Sequence, residues 1–165
     1  MGVDSFPYNL VLLLHILCAI VGFGGVILNG VYAARARQLP PEQNLAVMEV
    51  NSFVSMKVAE IFIYLVPVFG LGLVSMGDWG WGSLWIWLSI VLYVVSLGVS
   101  HGALMPTVER MLDLQRELVA AGPPAGGPPP QAAQLEAMGK KVGGLSMVLN
   151  LSLVAILVLM IWKPT

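Results

Sequence analysis

Four stretches of this chain are long enough and apolar enough to cross a hydrocarbon layer, and that pattern limits the fold more than any other feature. A span needs about 20 helical residues, and the candidates cover residues 8–34, 53–76, 83–105 and 142–162. No water reaches backbone N–H and C=O groups at that depth, so each stretch must bond to itself as a helix. Composition agrees: of 165 residues, 58% are hydrophobic and 10% charged. A soluble domain carries about 45–50% and about 25% respectively, and a chain this short cannot bury the excess in one aqueous core. The expected fold is all-α, an integral membrane four-helix bundle forming one domain over residues 1–165.

The first run does not read as a cleaved signal, because no basic residue precedes it and Arg35 and Arg37 follow it. Phe6 stands where a myristoylation signal needs Ser or Thr. Orientation follows from the basic residues. Arg35, Arg37 and Lys57 flank the first connection, and Arg110, Arg116, Lys140 and Lys141 flank the third. The short connection containing Trp79 and Trp81 has none, and Lys163 alone lies near the C-terminus. Basic connections stay in the cytoplasm, which predicts both termini outside. Tyr8, Trp79, Trp81, Trp85 and Trp162 then form an aromatic belt at the outer interface. Net charge is −1, which gives no footprint for nucleic acid. The bilayer is the expected partner. Cys18 reads as a small buried hydrophobe.

The cytoplasmic parts are small. Residues 42–55 wind into the second span. Residues 107–121 carry Val108, Met111, Leu114 and Leu118 at helical spacing, so the third helix protrudes beyond a span that Pro106 ends. Residues 122–130, GPPAGGPPP, form a flexible linker with no fold of their own.

Ionisable residues at membrane depth are functional candidates because burying them is costly without a partner. Glu60 follows Lys57 by three positions, which supports either a local ion pair or a polar gate on the bundle interior. His15 shares a helical face with Cys18, Ala19, Gly22 and Asn29. That face supports two readings. Small residues let a neighbouring helix approach, with the imidazole bonding across it; or Ala19 and Gly22 clear room for a flat cofactor whose iron His15 ligates. His101, the weaker candidate, lies near the cytoplasmic end, beside Gly98 and Met105. Counting rise from Tyr8 and from Gly82 puts the two histidines about 18 Å apart in depth, so one haem between both is not expected. Asn150 and Ser152 are available to hydrogen-bond across the bundle.

Leu14-His15-Ile16 with Gly24-Gly25, Met56-Lys57 through Pro67 to Gly70-Leu71, and Leu149-Asn150 with Lys163-Pro164 give a resemblance across all four spans. The chain resembles a superfamily of small four-helix bacterial membrane proteins. That superfamily contains the membrane domain of copper-resistance protein D, the four-helix protoporphyrinogen oxidases and an uncharacterised branch, the last being most similar. The resemblance implies a multi-pass protein of the bacterial inner membrane. It also implies haem b, with His15 matching the oxidases' first-span histidine and His101 matching a histidine late in their third span. Ser89 stands where those oxidases carry a lysine, so protoporphyrinogen oxidation does not carry over. Two main functions follow as expectations: a haem b-binding redox or electron-transfer protein, or a non-catalytic subunit packed against a larger membrane complex. A small-molecule transporter is a weaker third, because a carrier is expected to show broken helices or inverted repeats with midplane polar groups and only Pro67 and Gly70 point that way.

Overall fold

A computed structural model describes residues 5–77, 80–122 and 130–164. Among these, every regular element is helical. Helix α1 (Phe6–Ile27) runs through a slight break at Leu28 into α2 (Asn29–Ala36). Helix α3 (Pro41–Phe53) starts on Pro41, whose missing N–H costs nothing at a first helical turn. It continues through a π-helical turn (Val54–Ala59) into α4 (Glu60–Met76). Helix α5 (Leu84–Val99) passes through a second π-helical turn (Ser100–Leu104) into α6 (Met105–Ala121). Helix α7 (Pro130–Trp162) closes the bundle. The four continuous rods, Phe6–Ala36, Pro41–Met76, Leu84–Ala121 and Gln131–Trp162, are each long and apolar enough to cross a membrane. The all-α membrane bundle expected from sequence is what forms.

Pro106 does not end the third rod. It lacks the N–H that would bond the Gly102 carbonyl, and the π-helical turn absorbs the mismatch by spacing bonds one residue wider. The Met105 N–H reaches back to Ser100 O, and Thr107 Oγ1 donates to Ala103 O at 2.6 Å. The helix therefore continues to Ala121.

α1 packs chiefly on α4, and α7 on α5 and α6. Large apolar side chains such as Leu13, Ile20, Val68, Val91 and Leu151 stay exposed on the outer surface, the arrangement expected where lipid is the solvent. At one end, Trp87 Nε1 donates to Trp81 O at 2.8 Å, and the Lys163 ammonium lies 6.0 Å from the Trp85 ring centre. The opposite, basic end has a small core of Ala36, Met48, Met111 and Leu112, with Val108, Leu135 and Met138 against it. Arg116 pairs there with Glu49 at 2.7 Å and Asp113 at 2.8 Å. The expected flexible linker falls mainly on residues 123–129, and Trp79 of the expected belt on 78–79, outside the described residues.

Candidate functional site

The His15 face of α1 is a seam along α4. A Cβ on Gly72 would lie 3.5 Å from Val11, and one on Gly70 would lie 3.2 Å from the His15 ring. One on Gly22 would meet Ile63 Cγ1 at 3.0 Å and Ile63 N at 3.1 Å, and one on Gly25 would meet Ala59 at 3.6 Å. Ser55 Oγ donates to Asn29 Oδ1 at 3.1 Å at the seam's far end. Small residues thus let two backbones approach, and the imidazole sits in the hollow that Gly70 leaves.

Pro67 gives α4 its cross-links. A proline at this position frees the carbonyl four residues earlier, that of Ile63, and in a bilayer such a carbonyl must find another donor. The Tyr93 hydroxyl on α5 donates to it. One turn further on, His15 Nδ1 donates to Val66 O at 2.9 Å. A carbonyl can only accept, so Nδ1 carries a proton, and in the neutral ring Nε2 is the nitrogen with the free lone pair.

A second polar cluster joins α4 to the π-helical turn after α5. His101 Nε2 lies 2.8 Å from Glu60 Oε1, and the Tyr64 hydroxyl donates to the same oxygen at 2.7 Å. Tyr64 Oη lies 2.6 Å from His101 Nε2, while His101 Nδ1 faces Leu97 O at 3.0 Å. Nδ1 donates to Leu97 O, and Nε2 lies against both the Tyr64 hydroxyl and the Glu60 carboxylate; when the ring is doubly protonated it forms an ion pair with Glu60. Glu60 therefore bonds across the bundle to His101, and Lys57 adds only a longer-range attraction. Both π-helical turns adjoin this cluster: one ends immediately before Glu60 and the other contains His101. Such turns recur at functional sites because they rotate side chains off the regular helical register.

Glu60 and His101 line a partly open cavity of about 960 Å³ whose wall draws on all four rods. Its wall follows α5 and α6 from Tyr93 to Gln115, about 33 Å of helical rise, so the space is elongated. Much of the lining is apolar, including Phe23, Ile63, Leu104, Met105 and Leu153. Polar groups gather at two stations. The ionisable ones are Glu60 and His101 at the inner station and Arg37, Glu136 and Lys140, with Asn44 and Gln115, at the basic end; Asn29, Ser55, Ser96, Ser146 and Asn150 also line the wall. At that outer station Gln115 Nε2 donates to Asn44 Oδ1 at 3.4 Å, and Asn44 Nδ2 donates to Ala36 O at 2.8 Å. Gln115 Oε1 is buried without a partner.

The site residues named from sequence divide into two groups. His15, Ala19 and Gly22 belong to α1 and its seam with α4, and none of them lines the large cavity; His101 does line it. About 9 Å of helical rise on α4 separates Glu60, which holds His101, from Val66, which holds His15. This is less than the gap of about 18 Å counted from the span starts. The histidines still do not share a site.

The donor chemistry at His15 suits haem iron, since Nδ1–H bonded to a carbonyl leaves Nε2 as a ligand. The space does not suit it: Ile63 and Ala59 occupy the room at Gly22, and Gly70 closes on the ring itself. Both nitrogens of His101 are already engaged. The residues present therefore do not fit a haem between α1 and α4 in this packing. Ser89, at the position of the oxidases' lysine, is buried and turns its hydroxyl back to Trp85 O at 2.8 Å. Among the described residues, no group of three or more His, Cys, Asp or Glu side chains could hold a metal ion.

Sequence reasoning did not place Tyr64, Tyr93, Asn44 or Gln115 in any site. Two signals were available for the tyrosines: Tyr64 stands one helical turn beyond Glu60, and Pro67 implies a donor for Ile63 O on a neighbouring helix.

No curated protein and no solved structure matches this chain. One family, described as a predicted integral membrane protein (DUF2269), matches residues 9–164. With four apolar rods and a match over nearly the whole length, the chain is a multi-pass integral membrane protein and belongs to that family.

Proposed function

We propose that the protein binds one elongated amphipathic small molecule inside the bundle. The observation that carries this reading is the cavity itself, about 960 Å³ with apolar walls and two polar stations. Ligand sites span about 300–1,000 Å³ and combine apolar walls with a few convergent polar groups. The length of the space suits a chain-like molecule. The inner station suits an apolar chain passing by, because Glu60 Oε1 is held by both His101 and Tyr64 and His101 Nδ1 by Leu97 O. Glu60, Tyr64 and His101 also hold a shareable proton, which gives the wall a protonatable element.

Native mass spectrometry of the intact protein, released from membranes in mild detergent, tests the reading. One retained amphiphile per chain is expected; a chain that carries none, even after incubation with lipid extract, overturns it. The same preparation tests the redox reading implied by the resemblance to the four-helix oxidases. A Soret band that His15→Ala abolishes would replace the present proposal with haem b ligation. The accessory-subunit reading has no specific observation here to favour it.

A further inference from the structure

The outer polar station has the chemistry of a head-group site. Arg37 lines the cavity, and among the described residues no carboxylate pairs with it. Its guanidinium reaches α7: a Cβ on Gly139 would lie 3.5 Å from the Arg37 Nη2, in ordinary contact. Lys140 lies alongside, with Glu136 at 2.7 Å offsetting its charge. The unpartnered cation is therefore Arg37. Gln115 Oε1 is an acceptor without a donor, buried in the same wall. Bonds from Gln115 to Asn44 and from Asn44 to Ala36 O tie this wall to the end of α2, and Arg37 follows Ala36 in the chain. A buried acceptor left unpaired is costly, and a guanidinium offers a planar fork matched to phosphate oxygens.

We infer that the cavity takes an anionic lipid whose head carries both a phosphate and a hydroxyl. The phosphate sits on Arg37, and the hydroxyl donates to Gln115 Oε1. The acyl chains run into the apolar part of the cavity toward Leu104 and Leu153. The charge rule places Arg37 at the cytoplasmic face, at head-group depth. This inference rests on the amphiphile-binding reading and names its ligand class.

Delipidated full-length protein in neutral detergent is titrated with four probes and read by native mass spectrometry. The probes are dioleoylphosphatidylglycerol, dioleoylphosphatidylcholine, monoolein and glycerophosphate. Phosphatidylglycerol is expected to bind about tenfold tighter than phosphatidylcholine, which lacks the hydroxyl and adds a cation. Arg37→Gln should weaken phosphatidylglycerol about tenfold, and Arg37→Lys should retain most of the affinity. Gln115→Leu should cost phosphatidylglycerol about fivefold and narrow its lead over phosphatidylcholine. Monoolein, with hydroxyls and no phosphate, should not respond to Arg37→Gln. Equal binding of the two phospholipids, or indifference of phosphatidylglycerol to Arg37→Gln, overturns the head-group assignment and leaves the cavity reading standing. Glycerophosphate binding as tightly as the lipid overturns the lipid assignment in favour of a soluble phosphate ester. Failure of every probe, monoolein included, overturns the cavity reading as well.

Discussion

Removing the Tyr93 hydroxyl should cost stability only because Pro67 stands in α4. In Tyr93→Phe the ring stays and the hydroxyl goes, so the Ile63 carbonyl loses its donor. A buried acceptor stripped of its partner costs about 1–3 kcal/mol. Hydrogen bonds measured by double-mutant cycles in a membrane protein average about 0.6 and reach about 1.7 kcal/mol. The half-buried setting of Tyr93 and the absence of water at this depth favour the upper part of the second range. We expect a loss of about 1.5 kcal/mol, roughly tenfold in the unfolding equilibrium. Pro67→Ala restores the helical N–H that Ile63 O would ordinarily accept. In that background Tyr93→Phe should cost about 0.5 kcal/mol or less, a coupling of about 1 kcal/mol. Reversible unfolding in mixed micelles with rising dodecyl sulfate, followed by helical circular dichroism, measures all four corners of the cycle. An equal cost in both backgrounds would refute the claim that the proline creates the tyrosine's task.

Three further outcomes follow. Gly22→Ala should destabilise the bundle by about 1–3 kcal/mol in the same assay, because its Cβ would lie 3.1 Å from the Ile63 backbone nitrogen, which cannot rotate away. Glu60→Gln should cost about 1 kcal/mol, less than a fully buried pair, because the His101 and Glu60 side chains are 39% and 22% exposed; no change would show that the pair is ornamental to the fold. In a Cys18→Ser background, a cysteine at Gly80 should react with a membrane-impermeant maleimide on intact cells. One at Glu117 should react only after permeabilisation, and the reverse pattern would invert the topology.

Much of the architecture was readable from composition and spacing. Four apolar runs fix four rods because the bilayer leaves the backbone no alternative to helix. The His15 face was readable as a face, since Cys18, Ala19, Gly22 and Asn29 recur on one side of α1. What it meets was not readable, because small residues suit a helix and a cofactor equally; only the positions of Ile63, Ala59 and Gly70 decide. Continuation of the third helix past Pro106 was readable from Val108, Met111, Leu114 and Leu118 at helical spacing, but the turn that permits it was not. A proline ends a regular helix, but a preceding π-helical turn lets the rod continue, and nothing local in Ser100–Leu104 announces that turn. The cavity was invisible because its wall is assembled from every rod, with Arg37, Asn44 and Gln115 far apart in sequence. Lys57 was the obvious partner for Glu60 in sequence, and His101 became the actual one through tertiary packing.

Two glycines on α7 give the most direct test of the central claim that the cavity holds a ligand. Gly143 lines the cavity and Gly144 does not, and a Cβ at either position meets nothing within 4 Å. Either can become phenylalanine without an immediate clash, and only the ring at 143 starts from the cavity wall. Retention of amphiphile by purified wild type, Gly143→Phe and Gly144→Phe, measured by native mass spectrometry, should be lost in Gly143→Phe alone, with all three proteins equally helical. Equal retention in Gly143→Phe and wild type would contradict the account, because the bound molecule would then lie outside the bundle.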